Sequence, residues 1–206
     1  EGPGAICPKG NYCVANSSSP VLCSVGTYNG LLGQSICAQC DVGSYCETPG
    51  LIAVTALCPK GHWCAQGSVT GTPCPMGTFY NSEGIQQQSQ CTSCTPGSHC
   101  NRTGLPLPTG LCKAGWYCTA GATVSSPTVP AEGAICPQGH HCPTGSAAAQ
   151  ACVDGTDVPT KGAAVCLPCP ESQYCPGLSV ITPTACVQGH YCPNGTGASM
   201  PRCPRG

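Results

Sequence analysis

One phrase limits what this chain can fold into: a Cys, five residues, and a second Cys. It occurs eight times, at Cys7–Cys13, Cys40–Cys46, Cys58–Cys64, Cys94–Cys100, Cys112–Cys118, Cys136–Cys142, Cys169–Cys175 and Cys186–Cys192. A Tyr, Trp or His always precedes the second Cys. A second phrase opens with Cys-x-x-Gly-Thr at Cys23, Cys74 and Cys152 and closes at Cys37, Cys91 and Cys166. A CxxC then leads directly into the next Cys-x5-Cys. Self-similarity at a fixed period is the signature of repeat architecture.

Together the phrases make a six-Cys unit with a period of 51 residues from Cys7 to Cys58, 54 from Cys58 to Cys112 and 50 from Cys136 to Cys186. The expected repeats are 1–57, 58–111 and 136–185, with a short half-repeat at 112–135 and the start of a further one at 186–206. Twelve Cys open a four-residue phrase with Gly in the fourth place, except at Ser172. Pro often follows the Cys. Pro second and Gly fourth are the preferences of a type I turn. No segment keeps a 3.6-residue period for ten residues, so helix is not expected. The expected fold is small and disulfide-rich: tandem modules of turns and short β-strands forming an elongated rod.

Composition agrees. Cys is 23 of 206 residues, about 11%, which marks a disulfide scaffold. Ten aromatic residues cannot fill one large apolar core. Six of them, Tyr12, Tyr45, Trp63, Tyr117, Tyr174 and Tyr191, precede a second Cys and are expected to form the small module cores. A net charge of −1 excludes charge-driven binding of nucleic acid or anionic membrane. No apolar run is long enough for a membrane span, so no direct membrane insertion is expected. The chain opens inside a Cys motif, which suggests a mature chain or a fragment of one.

The cysteines admit three readings. Zinc needs four ligands at recurrent spacing, which the Cys-x5-Cys pairs fit poorly. A catalytic CxxC belongs in a βαβ context, and none is visible. Disulfides are the remaining reading, and they imply an oxidising, extracellular setting. Two pairing schemes stay open. In the first, every Cys-x5-Cys closes on itself and Cys23–Cys37, Cys74–Cys91 and Cys152–Cys166 close longer loops. In the second, neighbouring pairs join, as in Cys40 with Cys58, which strands Cys7, Cys13, Cys136 and Cys142. Parity favours the first, leaving only Cys203, whose partner would lie further along the polypeptide.

Asn-x-Ser/Thr sequons stand at Asn16, Asn101 and Asn194, each just after a Cys-x5-Cys. Their shared register argues for N-glycans, and the Ser/Thr/Pro-rich spacers suit O-glycans. With charged residues at 7%, a sugar coat or packing against identical neighbours is needed to keep such a chain hydrated or covered. His140 and His141 are a minor metal-binding candidate. The scattered carboxylates form no catalytic pattern, so neither cofactor nor enzyme activity is expected.

The phrase C-P-x-G-x-Y-C, followed by C-x-x-G-T-Y/F, a 13-residue loop and CxxC, resembles the ephrin-receptor-like cysteine-rich repeat. The C-x13-C loop is also similar to the opening loop of tumour necrosis factor receptor repeats. The likeness extends over essentially the whole chain. It is nearest to tandem arrays in protist and algal surface glycoproteins, including those of flagellar hairs (mastigonemes). The chain departs from the pattern at Ser172, at Asp157 where an aromatic is expected, and after Cys118. The resemblance implies an extracellular array without enzyme activity. The expected task is a structural subunit of a glycoprotein filament or surface coat, for instance on a flagellum. Its expected partner is itself, head-to-tail or laterally. The alternative is a ligand-binding or spacer region of a cell-surface receptor or adhesin.

Overall fold

The computed structural model describes residues 5–204; residues 1–4 and 205–206, at the outer limits of the first and last sequence repeats, lie outside them. The chain folds as a succession of small antiparallel hairpins. In chain order β1 (Asn11–Tyr12) pairs with β2 (Val21–Leu22), β3 (Thr27–Tyr28) with β4 (Ala38–Gln39), and β5 (Ser44–Tyr45) with β6 (Ala56–Leu57). Then β7 (His62–Trp63) pairs with β8 (Thr72–Pro73), β9 (Thr78–Phe79) with β10 (Thr92–Ser93), and β11 (Ser98–His99) with β12 (Gly110–Leu111). Last come β13 (Trp116–Cys118) with β14 (Gly133–Ile135), β15 (His140–His141) with β16 (Gln150–Ala151), β17 (Thr156–Asp157) with β18 (Leu167–Pro168), and β19 (Gln173–Tyr174) with β20 (Thr184–Ala185). These are hairpins 1 to 10. A bridge from His190 to Arg202 makes an eleventh. One 3₁₀ turn, Gln88–Gln90, lies in the loop of hairpin 5, and there is no α-helix among the described residues.

A two-residue ladder does not hold a hairpin closed in water. Two further ties do. The first is covalent. Each Cys-x5-Cys closes on itself across the turn that opens its hairpin, as in Cys40–Cys46 and Cys112–Cys118. Cys23–Cys37, Cys74–Cys91 and Cys152–Cys166 close the longer loops. Eleven disulfides result, and Cys203 is free and exposed. The segment 112–135, which has only two cysteines, is a complete hairpin with a long loop, in which Ala122 and Pro127 are buried.

The second tie joins successive hairpins within a compact unit, and it takes the same form in both units. The first unit is Glu1–Ser93 with Arg102–Leu107; the second is Cys94–Asn101 with Pro108–Gly206. In the first, hairpin 3 meets hairpin 4 through three backbone bonds: Gly43 N–H to Cys64 O (2.8 Å), Cys46 N–H to Ser68 O (3.0 Å) and Gly67 N–H to Cys40 O (2.8 Å). In the second, hairpin 7 meets hairpin 8 by the equivalent set: Gly115 N–H to Cys142 O (2.8 Å), Cys118 N–H to Ser146 O (3.0 Å) and Gly145 N–H to Cys112 O (2.9 Å). Turn and loop polar groups that would otherwise need water are thus paired.

Contact also reaches the next hairpin but one. Gly43, at φ +78°, faces the carbonyl of Gly84 two hairpins on, and a Cβ there would lie closer than 3.0 Å to that oxygen. Gly97, at φ +83°, faces Gly145 in the same way in the second unit. The Gly in the fourth place therefore does two things: it takes the left-handed backbone of the turn, and it lets two chain segments touch. Ser172 keeps the same conformation at φ 64°.

The core is sulfur rather than hydrocarbon. Cys23, Cys40, Cys46, Cys58, Cys64 and Cys74 are completely buried, as are most of their equivalents in the second unit. Ile85, Leu105 and Val158 are among the few buried aliphatic residues. The rings expected as module cores are only half-buried, and Tyr191 is 50% exposed.

Candidate functional site

The three sequons lie in the loops that follow the second Cys of a Cys-x5-Cys, Asn101 one residue after it, Asn194 two and Asn16 three. Asn16 lies in the left-handed region, φ 64°, where other hairpins have Gly; Asn tolerates that conformation. Asn101 accepts a bond from the Thr109 hydroxyl through Oδ1 (2.9 Å). Its backbone N–H also donates to that hydroxyl (3.1 Å), and the side-chain nitrogen is left over for a substituent. At Asn194 the sequon Thr196 is buried and donates to Pro193 O (2.6 Å), while the next residue's N–H, that of Gly195, is held by Cys169 O (2.8 Å). All three Asn are exposed. A glycan at any of them breaks none of these bonds.

The fifth residue after the Cys that opens the turn falls at the same register in each hairpin. In successive hairpins this position carries Tyr12, Tyr28, Tyr45, Trp63 and Phe79, and later Tyr117, His141, Asp157 and Tyr174. His140 and His141 do not converge. They are consecutive on β15 and so face opposite ways. His140 Nδ1 lies 3.1 Å from Gln138 O. His141 Nδ1 instead lies 3.2 Å from Cys166 Sγ and 4.0 Å from Cys152 Sγ. This is a grouping of potential metal ligands that adjacency in sequence does not reveal, because hairpin order brings the two sulfurs to His141. Asp157, at the aromatic position of the next hairpin, is buried.

Three other carboxylates, Asp154, Glu132 and Asp41, are tied to backbone or to a ring. Asp154 Oδ1 accepts from Gly177 N–H (2.7 Å) and Ala198 N–H (2.9 Å), joining the turn of hairpin 9 to the two hairpins that follow. Glu132 Oε2 accepts from the backbone N–H and hydroxyl of Thr123 and so closes the long loop of hairpin 7. Tyr28 donates to Asp41 Oδ2 at 3.2 Å. Loss of solvent around the phenol, and then the Asp41 carboxylate beside it, hold the Tyr28 hydroxyl above its ordinary value.

The concavities are shallow. An open depression of about 330 Å³ is lined by Tyr12, Val14, Thr27, Ile36 and Cys37. Large apolar side chains are exposed along both units, among them Leu22, Leu57, Leu111 and Leu167. No helix among the described residues is long and apolar enough to cross a membrane. The disulfide content is that of an oxidising compartment, as expected of an extracellular chain. Comparison with known proteins finds no matching family model and no matching curated protein.

Proposed function

We propose that this chain is a stretch of a structural subunit of an extracellular glycoprotein filament or surface coat, self-associating through its stapled hairpins. One observation carries the reading: the same three-bond junction recurs between successive hairpins in both units. In such an array each element is stabilised by its neighbours. A self-contact of the same open, head-to-tail kind propagates into a filament rather than closing a ring.

Three features support it. The three sequon Asn are exposed in the loops after a Cys-x5-Cys, so glycans there would coat the surface. The apolar residues left exposed give a second copy a surface to cover. The carboxylates described above serve the fold. The reading assigns the chain no enzyme chemistry and no cofactor, and a flagellar surface is one setting that fits it.

The depression at Tyr12, Val14 and Ile36 favours the alternative, a ligand-binding or spacer region of a receptor or adhesin. Sedimentation of the pure, glycosylated, unreduced protein over a wide concentration range separates the two. The structural reading requires assembly that grows with concentration. A protein that stays monomeric at the highest concentration is a spacer or receptor segment.

A further inference from the structure

The long-loop staple of hairpin 9 differs from its two counterparts in what lies against it. Tyr12 borders Cys37 of the Cys23–Cys37 staple. Trp63 holds the same register place ahead of Cys74–Cys91. Neither ring carries a nitrogen lone pair that a thiophilic metal could share with the two sulfurs. Ahead of Cys152–Cys166 the register place is taken by His141, with Nδ1 3.2 Å from Cys166 Sγ. Cys152 is buried, Cys166 is half-buried, and the three ligand atoms lie within 4.8 Å of one another.

We propose that His141, Cys152 and Cys166 form a redox-gated metal site: when the Cys152–Cys166 disulfide is reduced, the two thiolates and His141 Nδ1 bind a thiophilic divalent cation, zinc foremost. The balance is direct. Two external thiols supply the two electrons and two protons and leave as their disulfide, or a phosphine and one water supply them and leave as the phosphine oxide; the S–S bond breaks and each sulfur takes up one proton. Metal binding then releases both protons while the neutral imidazole contributes a lone pair. Zinc takes thiolate sulfur at about 2.3 Å and imidazole nitrogen at about 2.0–2.1 Å in a tetrahedral array. The sulfurs must therefore separate to roughly 3.7 Å, the edge of such a tetrahedron. His141 already lies about as far from Cys166 as that geometry asks.

Hairpins 8 and 9 stay joined by bonds that do not involve this staple, including Gly139 N–H to Val158 O (2.9 Å) and Gly162 N–H to Cys136 O (2.8 Å). The three ligands remain neighbours after the bond opens. They fill three of four positions, and the fourth is left for water or an exogenous ligand, as in sites that keep an open coordination position.

The test uses the whole chain, a phosphine titrated to one bond per molecule, and Co²⁺ as an optical probe later displaced by Zn²⁺. Differential alkylation with mass spectrometry reads which bond has opened. Expected, in the molecules in which Cys152–Cys166 has opened, are one Co²⁺ per chain with thiolate charge-transfer absorption, and protection of both cysteines from alkylation by Zn²⁺. H141Y installs the ring that other hairpins carry here. It should leave the oxidised fold intact and abolish both absorption and protection. No thiolate–metal band, or equal protection in H141Y, overturns the proposal. Loss of the hairpin 8–9 bonds on reduction, read by hydrogen exchange, overturns it too.

Discussion

At the scale of single residues, backbone geometry weighs more than side-chain chemistry. Gly43 and Gly177 separate the two costs of a glycine position. Both have positive φ, but only Gly43 faces a carbonyl, whereas nothing lies within 4 Å of a Cβ added at Gly177. Gly177→Ala should cost about 1 kcal/mol, the left-handed penalty alone. Gly43→Ala should cost more than about 3 kcal/mol, because backbone must also move. Thermal unfolding of the two variants checks the difference. Asp154→Ala removes an acceptor shared by Gly177 and Ala198 and should cost about 1–3 kcal/mol. Hydrogen exchange should quicken at those two amides, and Asp154→Asn, which keeps one oxygen acceptor, should lose less. Tyr28 sets a pH dependence of the opposite sign to that of a buried carboxylate. Its hydroxyl holds its proton more tightly when folded, so its contribution is complete below the ordinary tyrosine value near 10 and is lost as pH rises through the higher folded value. Stability should fall in that alkaline range, by a small amount because the phenol is largely solvated, and Tyr28→Phe should reduce the fall.

At the scale of elements, the recurring object is the hairpin rather than the six-Cys unit. The spacing of Cys, Pro and Gly makes the turns legible in sequence, because a disulfide across five residues and a Gly in the fourth place leave a chain few other courses. Absence of a long apolar period makes absence of helix legible too. The junctions are not legible. They are backbone bonds from Gly and Cys, and the approach of Gly43 to Gly84 leaves no side-chain signal. The segment after Cys118 reads as a half-unit only while cysteines are counted. Once strands are counted, Trp116–Cys118 and Gly133–Ile135 form a hairpin like the rest. His140-His141 suggests a pair in sequence, yet strand alternation separates the two, and the sulfurs beside His141 come from the next hairpin. Losing one staple should therefore be a local event. The paired change Cys58→Ser with Cys64→Ser should cost about 2 kcal/mol, and opening Cys74–Cys91 about 3 kcal/mol, because the longer loop frees more chain entropy. Hydrogen exchange should rise in the affected hairpin and its neighbours and stay unchanged at the far end of the same unit.

At the scale of the whole molecule, stability and self-association share one cause. With sulfur as the core and few buried aliphatic residues, full reduction and alkylation should abolish cooperative thermal unfolding. A calorimetric transition that survives that treatment would show a hydrocarbon core the structure does not contain. Exposed apolar side chains and few charges leave a surface that sugar and a second copy must cover between them. The most direct test of the structural reading is electron microscopy of native, unreduced material, at a resolution that shows a repeating subunit. The account predicts fibres with a regular period and sugar density at Asn16, Asn101 and Asn194. Separate molecules, or stalks tethered to a membrane with no lateral or head-to-tail contact, would contradict it.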